Sequence, residues 1–154
     1  MILNPQHMVE QGVLSGENFQ VQQNGIDLTI DKAFLITGGG ASGIDSKENP
    51  TIEPEDHNTE GFFEFKKGNC YSIETEQFVD IPAHTAAFIL QRSTLNRAGC
   101  FSQAGVYDSG FKNYVGFTLY CFNDISIQKH SRVAQIVFMR ADSASLYKGQ
   151  YQGK

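Results

Sequence analysis

The chain has 154 residues, enough for one domain with a sizeable core, and 40% of them are hydrophobic, which excludes a disordered chain. Its net charge is -5 with lysines and arginines scattered, so it lacks the basic stripe of a duplex-DNA binder, and no nucleic-acid partner is expected. Apolar runs such as Ala86 to Leu90 fall far short of the ~20 residues that span a bilayer, and no signal peptide is read, so a cytoplasmic protein with no membrane partner is expected.

Residues 4–11 read as one short helix, with Asn4 as its cap, Pro5 in its first position and Gly12 at its end. Gln20 to Ile36 then reads as strand, turn and strand around Asn24-Gly25. Residues 38–60 open with three glycines and continue with Ser, Asp, Glu, Asn and Pro, which predicts a mobile acidic loop. Beyond it, Phe62 to Phe65, Cys70 to Val79, Ala86 to Gln91, Val115 to Phe122 and Arg132 to Met139 are predicted strands. They are rich in Val, Ile, Phe, Tyr and Thr and separated by turn residues. Short strands at this spacing predict an all-β sandwich, jelly roll or barrel in one domain. Residues 141–154 read as a flexible C-terminal tail. The three cysteines, 30 and 21 residues apart, match no zinc spacing and are expected to be buried free thiols.

Three segments carry the residue types that chemistry needs. Gln91 to Gly99 holds Arg92 and Arg97 with the hydroxyls of Ser93 and Thr94, which suits a phosphate chain or, equally, a capped helical turn. Ala104 to Asn113 reads as a β-hairpin whose turn carries Asp108 between aromatic residues, a turn residue or a general base for water. Arg132 and Gln135 interrupt an apolar strand, and such groups need partners where they are buried.

Taken together these segments resemble the dUTPase/dCTP-deaminase family. Asn24-Gly25-Ile26-Asp27-Leu28 resembles the first motif, G-[IY]-D-L, and Arg92-Ser93-Thr94-Leu95 the second, R-S-S-L. Ala104-Gly105-Val106-Tyr107-Asp108 is similar to the third, A-G-x-[IV]-D, and Arg132-Val133-Ala134-Gln135-Ile136 to the fourth, R-[IV]-A-Q-[LI]. The opening Met1-Ile2-Leu3-Asn4, Arg97 and the closing Tyr151-Gln152-Gly153 resemble the deaminase branch. The resemblance implies a distorted jelly roll or β-barrel with a short N-terminal helix. It also implies a homotrimer with sites at subunit interfaces, Mg2+ bound with the triphosphate, and a C-terminal arm that closes over it.

By the same resemblance Asp108 is the base that deprotonates the attacking water. Ser93, with Thr94, Arg92 and Arg97 beside it, and Gln135 would meet the phosphates, and Asp27 would touch the metal through water. Phe111 would pack under the deoxyribose and reject a 2′-hydroxyl. Ala104, Gly105, Val115 and Gly116 would surround the pyrimidine, with Tyr151 and Gln152 on the arm. Because the arm's usual Gly- and Ser-containing remainder does not follow here, its closure is expected to be incomplete. The deaminase branch needs a glutamate ten residues after the Asp, where this chain has Thr118. A hydroxyl has no carboxyl-like pKa and cannot replace that proton shuttle. The expected reaction is therefore dUTP + H2O to dUMP + pyrophosphate. A dCTP deaminase or bifunctional enzyme, and a catalytically weak nucleotide-binding regulatory trimer, stand as alternatives.

Overall fold

The structure, a computed structural model, describes residues 1–153. Helix α1 (Pro5–Glu10) starts where the Asn4 side chain accepts a 2.9 Å hydrogen bond from the Gln6 amide, and it buries Pro5 and Met8. Thirteen strands follow: β1 (Leu14–Gly16), β2 (Gln20–Val21), β3 (Ile26–Gly38), β4 (Ala41–Ser42), β5 (Lys47–Glu48), β6 (Thr51–Glu55), β7 (Phe62–Phe65), β8 (Cys70–Asp80), β9 (Thr85–Gln91), β10 (Cys100–Gln103), β11 (Lys112–Cys121), β12 (Ile125–Gln128) and β13 (Arg132–Arg140). The short helix α2 (Ser93–Arg97) joins β9 to β10.

The main sheet runs β10-β11-β8-β3-β13-β9, with β1 on β8 and both β2 and β6 on β3. Its two ends meet through one side chain. The Gln91 amide Nε2 donates to the Cys100 carbonyl, and its Oε1 accepts from the Ser102 amide at 2.7 Å. The side chain thus stands in for a peptide group of the missing strand pair, and the sheet bends into a nearly closed barrel. From Cys70 to Val79 strand β8 alternates between half-buried and buried positions, so Tyr71, Ile73 and Val79 enter the core beside Leu28, Ile30 and Phe138.

The core also holds polar groups. Gln77 is fully buried; its Oε1 accepts from the Thr29 amide at 2.8 Å and its Nε2 donates to Thr29 Oγ1 at 2.9 Å and to the Glu17 carbonyl at 2.6 Å. Among the described residues no buried side-chain nitrogen or oxygen lacks a partner, so this network carries no orphan penalty. All three cysteines are free thiols; Cys100 and Cys121 are buried and Cys70 is half-buried. Burial, with Cys100 beside it, pushes the Cys121 thiol up to about 12.

Three stretches differ from the sequence reading. Residues 38–60 contain paired strands: β4 and β5 form a small hairpin, and β6 pairs with β3 from Ala33–Glu55 to Gly38–Thr51. Strand β6 carries Pro54 at a sheet edge, where one side of the strand has no partner to bond. Ala104 to Asn113 is not a continuous hairpin: only Tyr107 pairs, as an isolated bridge to Ala87, before β11 begins at Lys112. The tail is hydrogen-bonded to the turn before β11 and to the first residue of that strand. Tyr147 N donates to the Ser109 carbonyl at 2.7 Å, Gln152 Nε2 donates to the Gly110 carbonyl at 2.8 Å, and Gln152 Oε1 accepts from Lys112 N at 3.0 Å. Lys154 lies outside the described residues. No helix among those described is long and apolar enough to cross a membrane.

Candidate active site

Strand pairing sets Asp27 of β3 directly opposite Gln135 of β13. Asp27 is buried, and four donors converge on its carboxylate. Gln22 Nε2 lies 2.8 Å and Arg132 Nη1 3.2 Å from Oδ2, with Gln135 Nε2 3.4 Å and Arg92 Nε 4.0 Å from Oδ1. Arg132 also donates to Gln20 Oε1 at 2.8 Å, and Arg92 Nη1 donates to the Arg132 carbonyl at 3.2 Å. Two guanidinium groups thus share one carboxylate, leaving a net positive charge. Their side chains remain 29% and 39% exposed, so an anion can reach them from solvent. Beside Arg92, the exposed Ser93 and Thr94 open α2, and Arg97 ends it, also exposed.

The second constellation lies where β10 and β11 part. A cavity of about 1070 Å³ opens there, lined by Ala104, Gly105, Phe111, Val115, Gly116, Thr118 and Tyr151, among others. Phe111 is buried, edge-on to Tyr107 at 5.1 Å and to Tyr147 at 5.3 Å between ring centroids. These three rings make an apolar wall. Gly116 has no room for a side chain, because a Cβ there would overlap the Ile73 carbonyl of β8.

Asp108 stands in the turn beside Tyr107, exposed, and its side chain makes no hydrogen bond or ion pair with another described residue. The turn itself is fixed. Its Phe111 amide donates to the Asp108 carbonyl at 3.0 Å, and Gly110 takes the left-handed φ of 87° that closes it. The buried Ser109 hydroxyl ties it to β9, accepting from the Thr85 amide at 3.2 Å and donating to the Thr85 carbonyl at 2.5 Å. A carboxylate on such a turn springs from a fixed backbone and is free to accept a proton from water.

The sequence candidates therefore fall into two groups that share no residue: Asp27, Arg92 and Gln135 with α2, and the cavity with Asp108, Phe111 and the tail. No hydrogen bond among the described residues joins them. Sequence reasoning singled out Arg132 and Gln135 as groups needing partners, and Asp27 is that partner. It missed Gln22, Tyr107 and Tyr147. It also missed Glu74, which lines the cavity from β8 opposite Gly116. A search along one strand for a carboxylate cannot see one on its neighbour.

The family model described as dCTP deaminase-like matches residues 6–141. The chain is similar to the deoxyuridine 5′-triphosphate nucleotidohydrolase of Methanocaldococcus jannaschii, 32% identical over 142 residues that make up 90% of each chain. It is also similar to the probable enzyme of that name from Aeropyrum pernix, 30% identical over 162 residues covering 100% of this chain and 99% of the other. Among solved structures, the 2′-deoxycytidine 5′-triphosphate deaminase of Agrobacterium tumefaciens superimposes with a TM-score of 0.70 at 17% identity, over 89% of this chain and 47% of that one. The EIAV dUTPase superimposes with a TM-score of 0.60 at 12% identity, over 92% and 98%. At such identities the structural likeness speaks for the fold.

Proposed function

Since the chain belongs to the dCTP deaminase-like family, as the match over residues 6–141 establishes, we propose that it hydrolyses dUTP to dUMP and pyrophosphate. The observation that carries this reading is the occurrence on one chain of an apolar-walled cavity, whose lining residues Tyr107 and Phe111 flank the turn of the unpartnered Asp108, and of two arginines held on one buried carboxylate. The first suits a nucleoside and a water; the second suits its phosphates.

In this reaction Asp108 accepts a proton from a water as the water oxygen bonds to the α-phosphorus. The bond from that phosphorus to the bridging oxygen breaks, and pyrophosphate leaves. Arg92, Arg97, Ser93, Thr94 and Gln135 hold the phosphate oxygens and stabilise the charge that develops on the leaving group. Asp27 keeps Arg92 and Arg132 oriented, so that little ordering is left for the moment of reaction. Phe111 packs against the sugar and leaves little room for a 2′-hydroxyl, and the backbone of Val115 and Gly116 reads the base beside Ala104 and Gly105. Tyr151 and Gln152 cover the nucleotide from the tail.

The donor set fits a magnesium ion that arrives on the triphosphate. Among the described residues no cluster of three carboxylate, thiol or imidazole groups could hold one, and both Asp27 oxygens already accept bonds. When bound, the ion would neutralise phosphate charge, with Asp27 near its water shell.

No hydrogen bond among the described residues joins the two groups, which supports the arrangement the family resemblance implies: a homotrimer whose complete site forms between subunits. The exposed apolar side chains of Phe88 and Leu90 on β9 support such an interface: Leu90 pairs with Gln135, next to the arginines. Glu74 supports a second reading. It puts a carboxylate in the cavity where the sequence offered only Thr118, so deamination of dCTP, with water replacing the C4 amine and ammonia leaving, has a candidate proton carrier.

Hydrolysis in ¹⁸O-labelled water tests the first reading. Label is expected in dUMP, from attack at the α-phosphorus. Label in pyrophosphate instead would move the attack to the β-phosphorus and remove Asp108 from its role.

A further inference from the structure

The β10–β11 ladder stops early. Its last pair is Gln103 with Thr118, after which Ala104 to Val106 leave β11, although β11 itself reaches back to Lys112. In an antiparallel ladder every second residue of a strand turns both its N–H and its C=O to the same neighbour. Gly116, two residues before Thr118, therefore turns its donor and acceptor into the gap, where a longer ladder would have placed Gly105. One side chain fills the place of the missing strand. The Tyr107 hydroxyl donates to the Gly116 carbonyl at 2.6 Å and accepts from the Gly116 amide at 3.1 Å. Burial pushes this hydroxyl above its ordinary range, against the bond to Gly116, so it stays protonated and able to donate.

A neighbouring donor and acceptor is also what the edge of a pyrimidine presents. Uracil offers the N3–H beside a carbonyl oxygen, and cytosine offers N3 beside its amine. Tyr107 supplies the same pair from a single atom. Gly116 has only one N–H, so the hydroxyl and a base cannot both take it. The residue is also a departure from pattern: Tyr107 occupies the third-motif position written as Ile or Val, and an aliphatic side chain could make neither bond.

We infer that the Tyr107 hydroxyl is a placeholder for the base: it satisfies the Gly116 donor and acceptor in the free protein, the incoming pyrimidine displaces it, and its retention sets how tightly the base is held. The inference rests on the reading in which dUTP enters this cavity.

The test compares wild type with Tyr107→Phe, using dUTP turnover and calorimetric binding of the non-hydrolysable α,β-imido-dUTP. Without the hydroxyl, water covers Gly116 in the free protein, and the base no longer competes with an internal partner. The KM for dUTP and the Kd of the analogue are expected to fall about three- to tenfold, the worth of one net hydrogen bond. A general loosening of the cavity would raise both constants, and a spectator tyrosine would leave them unchanged; either result overturns the placeholder. A second measurement needs no variant. The Cζ resonance of Tyr107 in the wild-type protein should move when the analogue is added, and a resonance that stays in place also overturns the inference. Wild-type protein that binds the analogue but releases no pyrophosphate from dUTP would overturn the proposed reaction instead, with the placeholder still readable from binding.

Discussion

Replacing Asp27 with Asn keeps the volume of the buried side chain and removes its charge. Four donors now converge on two carboxylate oxygens, with the shorter contacts, 2.8 and 3.2 Å, on Oδ2. An Asn side chain keeps one acceptor. Its oxygen should stay with Gln22 and Arg132, which turns its amide nitrogen toward Gln135 and Arg92, donor against donor. Breaking a fully buried ion pair costs about 3–5 kcal/mol, but the two arginine side chains are 29% and 39% exposed, and water recovers part of that. A loss of about 2 kcal/mol is the reasonable balance, comparable to one charge-assisted hydrogen bond. With a urea dependence of roughly 1–3 kcal/mol per molar, the unfolding midpoint should fall by about 1 M. The comparison requires equal protein concentrations, because assembly adds to apparent stability. Arg92 also loses its anchor, so the KM for dUTP should rise. An Asp27→Asn protein that unfolds at the wild-type midpoint with an unchanged KM would refute the view that this carboxylate organises the arginines.

Asp108→Asn should lower kcat by about 10²–10⁴-fold while leaving analogue binding and stability near wild type, because the side chain is exposed and unpartnered; normal turnover would remove it as the base. Phe111→Leu should narrow the preference for dUTP over UTP, measured as the ratio of kcat/KM values, and an unchanged ratio counts against packing on the sugar. Phe111→Ala should in addition destabilise the protein by about 3–5 kcal/mol, since this ring is buried between Tyr107 and Tyr147. Mixing unfolded Asp108→Asn and Arg92→Ala chains and refolding them together should restore about a quarter of wild-type activity if each site draws these residues from different subunits. No restoration would place them on one chain. Burial alone would raise the Glu76 carboxyl, but bonds from Thr29, Asn18 and His130 bring it below its usual value of 4.5. A depressed carboxylate stabilises the fold above its unfolded pKa and loses that contribution as pH falls through the folded one. Thermal stability should therefore decline below about pH 4.5, and Glu76→Gln should flatten that decline.

Much of the fold is legible where burial imposes a period. Strand β7 has the expected bounds, and the alternation in Cys70 to Asp80 announces a half-buried strand. Strand β6 hides because it is exposed at most positions and carries a proline, so neither pattern nor composition marks it. The hairpin reading of Ala104 to Asn113 failed for a different reason. Local turn chemistry is present at Ser109-Gly110, but the backbone before it pairs with β9 at Tyr107 and meets β11 only through the Tyr107 hydroxyl. That opening is the cavity. The site's parts are legible as separate segments, yet their grouping is a matter of register. Nothing local says that Asp27 lies across from Gln135, that Gln91 closes the barrel, or that Glu74 faces the same space as Thr118.

The most direct test of the central claim is product analysis with magnesium, following nucleoside monophosphate, pyrophosphate and ammonia from dUTP, dCTP, dTTP and UTP in parallel. dUTP is expected to give dUMP and pyrophosphate, with UTP poorly used and no ammonia released. Ammonia from dCTP would shift the chemistry to the base and point to Glu74, and binding of dUTP without any pyrophosphate would contradict the assignment of a hydrolase.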